Sequence, residues 1–369
     1  MRSNIGPRVL PLVAAALIAG CSSTHTITGP FNFGDHVAYV VCTDFATGRL
    51  SLIDVATRQV ATNVEPVHSD AGIRVYDGLI YVINRFGQDN IQVIDPVKYV
   101  TRNQYSTGNG SNPQDIAFAS PEKAYISCYG STDLLIVAPR TGKPLGTISL
   151  AAFADGDGLP EMAQMALVGP WLFVACQRLT SFAAVNPSVV AVIDTRTDRV
   201  VDLEPMVSGL QGITLTGRNP YTDFVVVPGS QELLIGCVGD YGVADGGIER
   251  IDPLTPQTLG YAITEAAIGG DVLDIAWAGS THSYAIVNDA SFSNLLMSWN
   301  PATGAAIDTV FATAGFNLAD CEVNALGELY VCDNRITAPG VRVYQTGADT
   351  LLAGPINTGL PPSQIAFPR

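Results

Sequence analysis

Six polar side chains recur in this chain at one repeated position: Asp115, Gln164, Asp223, Asp274, Asp320 and Gln364, with Gly72 as a counterpart lacking a side chain. Each stands immediately before or at the start of a short apolar run, and successive members lie roughly 40 to 60 residues apart, the spacing of stacked β units. Four carboxylates and two carboxamides gathered in one place would form an acidic, hydrogen-bonding surface that draws cations and donors. The same residue types also cap local turns or accept from the backbone of a neighbouring unit. The two roles are compatible, because a capping carboxylate still sets the local potential.

A second group of oxygen ligands lies in Ala154-Asp-Gly-Asp-Gly-Leu-Pro-Glu161. Asp155, Asp157 and Glu161, with glycines between them, resemble a truncated calcium loop, which makes calcium the cofactor expectation. A full EF-hand pattern is absent, and Asp-Gly pairs also form ordinary turns. Nucleophilic chemistry finds less support. His25, His36, His68 and His282 do not repeat, and none stands beside a Cys or Ser at a catalytic spacing. No haem-attachment, zinc-helix or phosphate-loop motif occurs.

The elements that position these residues are β units. Seven times an alternating apolar run ends in Asp or a substitute, then a turn, then a second run: LSLIDVATRQV from Leu50, IQVIDPVKYV from Ile91, LLIVAPRTGKPL from Leu134, VAVIDTRTDRV from Val190, IERIDPLTPQTL from Ile248, LLMSWNPATGAAI from Leu295 and VRVYQTGADTLL from Val341. Before each phrase comes another strand pair, as in Asp115-Ile-Ala-Phe through Tyr125-Ile-Ser-Cys128. Four short strands per unit with period-2 alternation predict an all-β, seven-bladed β-propeller. The first unit has three strands, and the chain ends on an orphan Gln364-Ile-Ala-Phe367 that copies the first strand of the others. Inserting that strand into blade one closes the ring and removes an exposed sheet edge. The predicted blades run 37–64 plus 363–368, then 71–106, 114–149, 163–203, 221–263, 271–311 and 319–357. In such a ring the six polar residues and Gly72 surround one mouth of the central channel. Longer loops, 177–189, 238–247 and 333–340, bring Phe182, Tyr241, Asp240, Asp245 and Asp333 to its rim.

Tyr81-Val-Ile-Asn84 followed by Ile91-Gln-Val-Ile-Asp95 resembles the YVTN family of seven-bladed propellers. Tyr39-Val-Val-Cys42, Tyr125-Ile-Ser-Cys128, Phe173-Val-Ala-Cys176, Leu234-Ile-Gly-Cys237 and Tyr330-Val-Cys332 follow the same pattern with Cys in place of Asn. The resemblance implies the fold over the whole mature chain and leaves the function open, since members range from surface-layer to binding and scaffold proteins. Propellers that carry haem d1 or copper clusters depend on His ligands, so similarity to them stops at the fold.

The cysteines divide into three groups. Cys42, Cys128, Cys176, Cys237 and Cys332 share one blade position, so neighbouring thiols sit too far apart to bond and read as small buried hydrophobes. Cys321 and Cys332 differ: counting inward from both reaches a two-residue turn at Leu326-Gly327, which predicts a cross-strand disulfide. Cys21 belongs to the leader. Arg2 and Arg8, the apolar stretch Val9 to Ala19 and Ile18-Ala-Gly-Cys21 resemble a bacterial lipobox, which implies cleavage before Cys21 and lipidation of its thiol. Ser22 after the Cys implies sorting to the outer membrane, and the Ser, Thr, Gly and Pro of 22–33 read as a tether.

The expected organisation is therefore a signal peptide at 1–20, a lipidated tether at 21–36 and a monomeric propeller at 37–369. Without the two arginines of the leader, 17 basic residues face 34 acidic ones, a net charge of −17. So acidic a surface with no basic run argues against nucleic acid and leaves protein partners, cations or small molecules. The expected function is an outer-membrane lipoprotein that binds or scaffolds through the acidic mouth. The alternative is a metal-assisted, lactonase-like hydrolase or lyase with its metal in that mouth.

Overall fold

The computed structural model describes residues 36–368. These form seven antiparallel sheets and almost nothing else, the exceptions being a 3-10 turn at Ala151–Phe153 and one helical turn at Glu265–Ile268. The innermost strands of blades one to seven are Pro362–Ala366, Ala71–Tyr76, Pro113–Ser120, Met162–Val168, Val225–Val226, Asp271–Ala276 and Leu318–Val323. Blade one is closed as expected: the C-terminal strand pairs with Val37–Thr43, setting Val40 opposite Ile365.

Burial explains why each sequence forms its strand. Every residue of the second strand Leu79–Asn84 is buried, because sheets cover it on both faces. The outermost strand Thr101–Ser106 alternates half-buried and exposed residues, as an edge with one covered face must. Seven apolar clusters fill the seven gaps between neighbouring sheets. Between blades two and three, for instance, Tyr81, Ile83 and Ile91 meet Ile116, Ile126 and Cys128. Ala38, Val40 and Cys42 meet Tyr330, Cys332, Val341 and Ile365 where blade seven joins blade one, so the last interface is built like the rest.

Two blades depart from the expected boundaries. Blade five's inner strand is only Val225–Val226, because the Thr222 hydroxyl takes the Gly236 N–H at 2.8 Å and stands in for a ladder bond. In blade four the outer strand is Arg199–Val200, and Ile213–Thr214 adds to the third strand, Val189–Asp194.

The predicted Cys321–Cys332 disulfide is not formed. Gly327, at φ 73°, ends a three-residue loop in which Asn324 and Glu328 bond across the hairpin, one residue longer than the sequence count. Cys321 therefore lies opposite Val331, and Cys332 points to the other face of the sheet. Cys321 packs in the gap between blades six and seven and Cys332 in the gap between seven and one, both as free buried thiols.

Deleting Pro362–Arg369 removes Ile365 from its cluster and exposes two sheet edges. The expected result is aggregation, or a melting temperature lower by about 10 °C or more, from the loss of several kcal/mol of packing. A truncated chain that melts with the intact one by circular dichroism would mean the ring closes without this strand.

Candidate functional site

Asp115, Gln164, Asp274 and Asp320 sit where their innermost strands depart from regular pairing. Irregularities fall between Pro113 and Asp115, Met162 and Met165, Val272 and Asp274, and Leu318 and Cys321. A bulge leaves a backbone N–H outside the ladder, and a buried N–H needs an acceptor. The preceding blade supplies it. Asp115 Oδ2 accepts from the Met165 N–H at 2.9 Å, Asp274 Oδ2 from Cys321 at 2.6 Å, Asp320 Oδ2 from Ile365 at 2.7 Å, and Gln364 Oε1 from Ile73 at 2.7 Å. Four junctions are thus clasped by ring side chains, so the expected bonding to the next blade's backbone is present. Gly72 fits this scheme, for a Cβ there would come within 3.4 Å of Gln364 Oε1 and 3.0 Å of Arg85.

Gln164 and Asp223 serve a different partner, which the sequence reading did not single out. Arg74 reaches from blade two across the channel. Its Nε lies 2.9 Å from Asp115 Oδ1, and its Nη2 lies 2.9 Å from Asp223 Oδ2 and 3.2 Å from Gln164 Oε1. One guanidinium therefore ties blades two, three, four and five together. The signal was present two residues beyond each ring position, on the same strand face. Blades three, four, six and one carry Ala117, Ala166, Ala276 and Ala366 there, while blades two and seven carry Arg74 and Glu322. The alanines pack against the apolar clusters between blades, and only Arg74 at this position is long enough to reach several blades.

The charge is left lopsided. Asp115 and Asp223 share Arg74, whereas Asp274 and Asp320, among the described residues, have no such cation and are each only 8% exposed. Burial pushes the Asp274 carboxyl up to about 8, with like charge from Asp223 and Glu322 adding to it. Burial and the adjacent Asp274 likewise raise Asp320 well above the ordinary carboxylate range. One half of the channel wall is ion-paired and the other half favours protonated acids.

Above this layer opens a cavity of about 580 Å³. Gln164, Asp223, Asp274, Asp320 and Gln364 line its floor, while Asp115 lies below, against Arg74. Phe45, Tyr129, Phe182 and Tyr221 stand in its walls. Phe182 is 83% exposed and Phe45 86%, and both hold positive φ, near 67° and 68°. That backbone is uncommon for an aromatic residue and marks a loop built to present it. Two of the three rim acids expected beside Phe182 and Tyr241 are structural instead, and Asp240 stays half-exposed. Asp245 is bound by Arg218, and Asp333 is buried between Arg335 at 2.8 Å and Arg342 at 2.7 Å.

Asp155, Asp157 and Glu161 do come together, with ligand atoms mutually within 4.8 Å, a span that suits a calcium ion bound at 2.3 to 2.6 Å. Asn186 Nδ2 at 2.6 Å and Thr180 Oγ1 at 3.1 Å hold Asp155 from the long loop of blade four. Burial pushes Glu161 up to about 8, and Asp157 and Asp155 add to the effect. Among the described residues this is the group of three carboxylates with metal-ligand spacing. It lies outside the lining of the central cavity, where the hydrolase reading needed its metal.

No family model and no curated protein matches the chain. Solved structures match it in fold. BamB from Moraxella catarrhalis is 17% identical over 81% of this chain and 79% of its own, with a TM-score of 0.46. The dihydro-heme d1 dehydrogenase NirN, in complex with DHE, is 13% identical over 89% of this chain and 67% of its own, with a TM-score of 0.52. A chain of the mitotic checkpoint complex is 13% identical over 89% and 96%, with a TM-score of 0.53. The chain is a seven-bladed β-propeller.

The raised Asp274 carboxyl has a consequence for stability. Its folded value of about 8 exceeds the unfolded value of about 3.9, so its protonated form stabilises the fold fully at low pH, and that contribution is lost as pH rises through 8. The wild-type melting temperature should therefore fall between pH 6 and pH 9. Asp274→Asn keeps an acceptor for the Cys321 N–H without a charge and should flatten that fall. Asp115→Asn removes a partner of Arg74 and should lower the melting temperature across the whole range. Thermal melts of the three proteins decide the matter, and a pH-independent wild type would disprove the protonated cluster.

Proposed function

We propose that this chain is a lipid-anchored envelope protein whose propeller is a rigid binding module. On this reading it holds a protein partner or cationic ligand over the acidic channel mouth. The observation that carries the reading is the cavity itself. It is floored by Asp223, Asp274 and Asp320, walled by exposed aromatics, and set on loops that a clasped ring keeps in place. Exposed aromatic side chains around a concave centre are the residue type that dominates interface energetics. The lipobox at Cys21, outside the described residues, supports attachment to the outer membrane.

Site-specific photo-crosslinking in cells tests both halves of the proposal. A photoreactive residue at Phe182 or Phe45 should yield discrete adducts in the membrane fraction, whereas one at Leu254, on the opposite face and 76% exposed, should yield none. Cys21→Ser should release the protein from membranes and abolish labelling by radioactive palmitate. Equal cross-linking from both faces would reject the mouth as the binding surface, and unchanged palmitate labelling would reject the anchor.

The acid cluster supports calcium as a structural ligand that joins the insertion 154–161 to blade four. Added calcium should raise the melting temperature of EGTA-treated protein by several degrees, and Asp157→Asn should remove that rise. An identical rise in the variant would show that the cation binds elsewhere.

A further inference from the structure

Beside the central cavity, between the loops of blades five and six, lies a second cavity of about 330 Å³. Four aromatic side chains stand around it: Tyr221, Tyr241, Phe292 and Phe316. Tyr221 and Tyr241 meet edge to face at 6.2 Å, and Phe292 and Phe316 lie 6.4 Å apart. All four are between 45% and 62% exposed, so the box is open to solvent.

Its shape is fixed by the backbone rather than by packing of the rings on the core. Phe292 holds φ near 56° in a turn where Asp289 Oδ1 accepts from Ser291 at 2.9 Å and from Ser293 at 2.8 Å. Gly315, also at positive φ, donates to the Phe292 carbonyl at 2.9 Å and places Phe316 next to it. On the other side the Gly242 N–H is bound by Asp271 Oδ2 at 2.8 Å, which holds the Tyr241 loop.

Two oxygen acceptors lie at the base. Asp271 is 2% exposed and, among the described residues, has no cationic side chain paired with it. Asn288 is 3% exposed, and its Oδ1 has no hydrogen-bond partner. The Nδ2 of Asn294, opposite it in the ladder, is also unpaired, while Asn294 Oδ1 accepts from the Leu318 N–H of the next blade at 3.0 Å. In blade two the corresponding Asn84 and Asn90 do bond, at 2.8 Å, so blade six differs from its own repeat at the edge of this cavity.

Aromatic faces attract cations through the ring quadrupole, a buried carboxylate lacks its counter-charge, and an orphan carbonyl oxygen lacks a donor. We infer that this box binds an alkylammonium group, the cation resting among the four rings and donating its N–H groups to Asp271 and Asn288. The group is supplied either by a free amine or by a lysine side chain of a partner. The site shares Tyr221 and Leu273 with the central cavity but requires no occupant there.

Calorimetric titration of the full chain with n-butylammonium, with n-butanol as its uncharged counterpart, tests the inference. Saturable binding of the amine and none of the alcohol is expected. Tyr241→Ala with Phe292→Ala should weaken that binding by at least about tenfold, since each ring contributes a cation–π contact and neither is core. Asp271→Asn should weaken it similarly, and a wild-type melting temperature of the aromatic double variant separates lost binding from lost folding. Absence of amine binding, equal binding of butanol, or undiminished binding by the double variant would each overturn the site. A capped Gly-Lys-Gly peptide chooses the source: tighter binding than butylammonium assigns the cage to a partner's lysine, and equal or weaker binding assigns it to a free amine.

Discussion

The propeller depends on one recurring constraint: each innermost strand is a sheet edge facing its neighbour, and the N–H groups that leave its ladder must find acceptors away from bulk water. A carboxylate or carboxamide from the preceding blade meets that need at four junctions, through bonds of 2.6 to 2.9 Å. Hydrogen bonds to charged groups contribute about 1.5 to 3 kcal/mol, and leaving a buried donor unmade costs a comparable amount. Since every clasp reaches forward by one blade, the last must be made by residues at the other end of the chain. Asp320 to Ile365, and then Gln364 to Ile73, make it. Closure is therefore encoded in the same interaction as the repeat.

That solution concentrates acid where water is scarce, and the ring manages the excess in two ways. Around blades two to five a single guanidinium neutralises it, and Arg74 becomes a spoke that no repeat pattern requires. Around blades six and seven, among the described residues, no cation offsets burial, so Asp274 and Asp320 favour the protonated form. A protonated carboxyl still accepts from a backbone N–H, so the clasp survives either state. The unpaired half consequently presents neutral acids to the mouth near neutral pH, and Asp274 gains charge only as pH rises through about 8.

The sequence made the period, the closing strand and the ring residues legible because each rests on alternation and on copies that repeat. It did not make the register of blade seven legible. One extra residue in the Asn324–Glu328 turn moves Cys332 to the opposite face, and turn length is set by the left-handed Gly327, which a count of residues between two cysteines does not reveal. Arg74 was hidden for another reason. Its role is defined by the alanines at equivalent positions in other blades, so it emerges from the comparison of repeats and not from any one of them. The orphan amide of Asn288 belongs to the same class, since it is informative only against Asn84 in blade two.

Departures from the repeat are also where the surface becomes specific. The repeat builds a ring indifferent to function, with second strands buried on both faces and outer strands in water. Phe45, Phe182 and Phe292 all break local backbone preference, each at positive φ, and all project from the mouth face. Such conformations cost of the order of 1 to 3 kcal/mol and persist only where the surroundings over-determine them. A clasped ring with seven packed interfaces can carry that cost, whereas an isolated hairpin could not. The stability of the scaffold and the exposure of its aromatics are in this sense one property: the buried carboxylates that lock the blades together make it affordable to hold apolar rings out in water around an acidic centre.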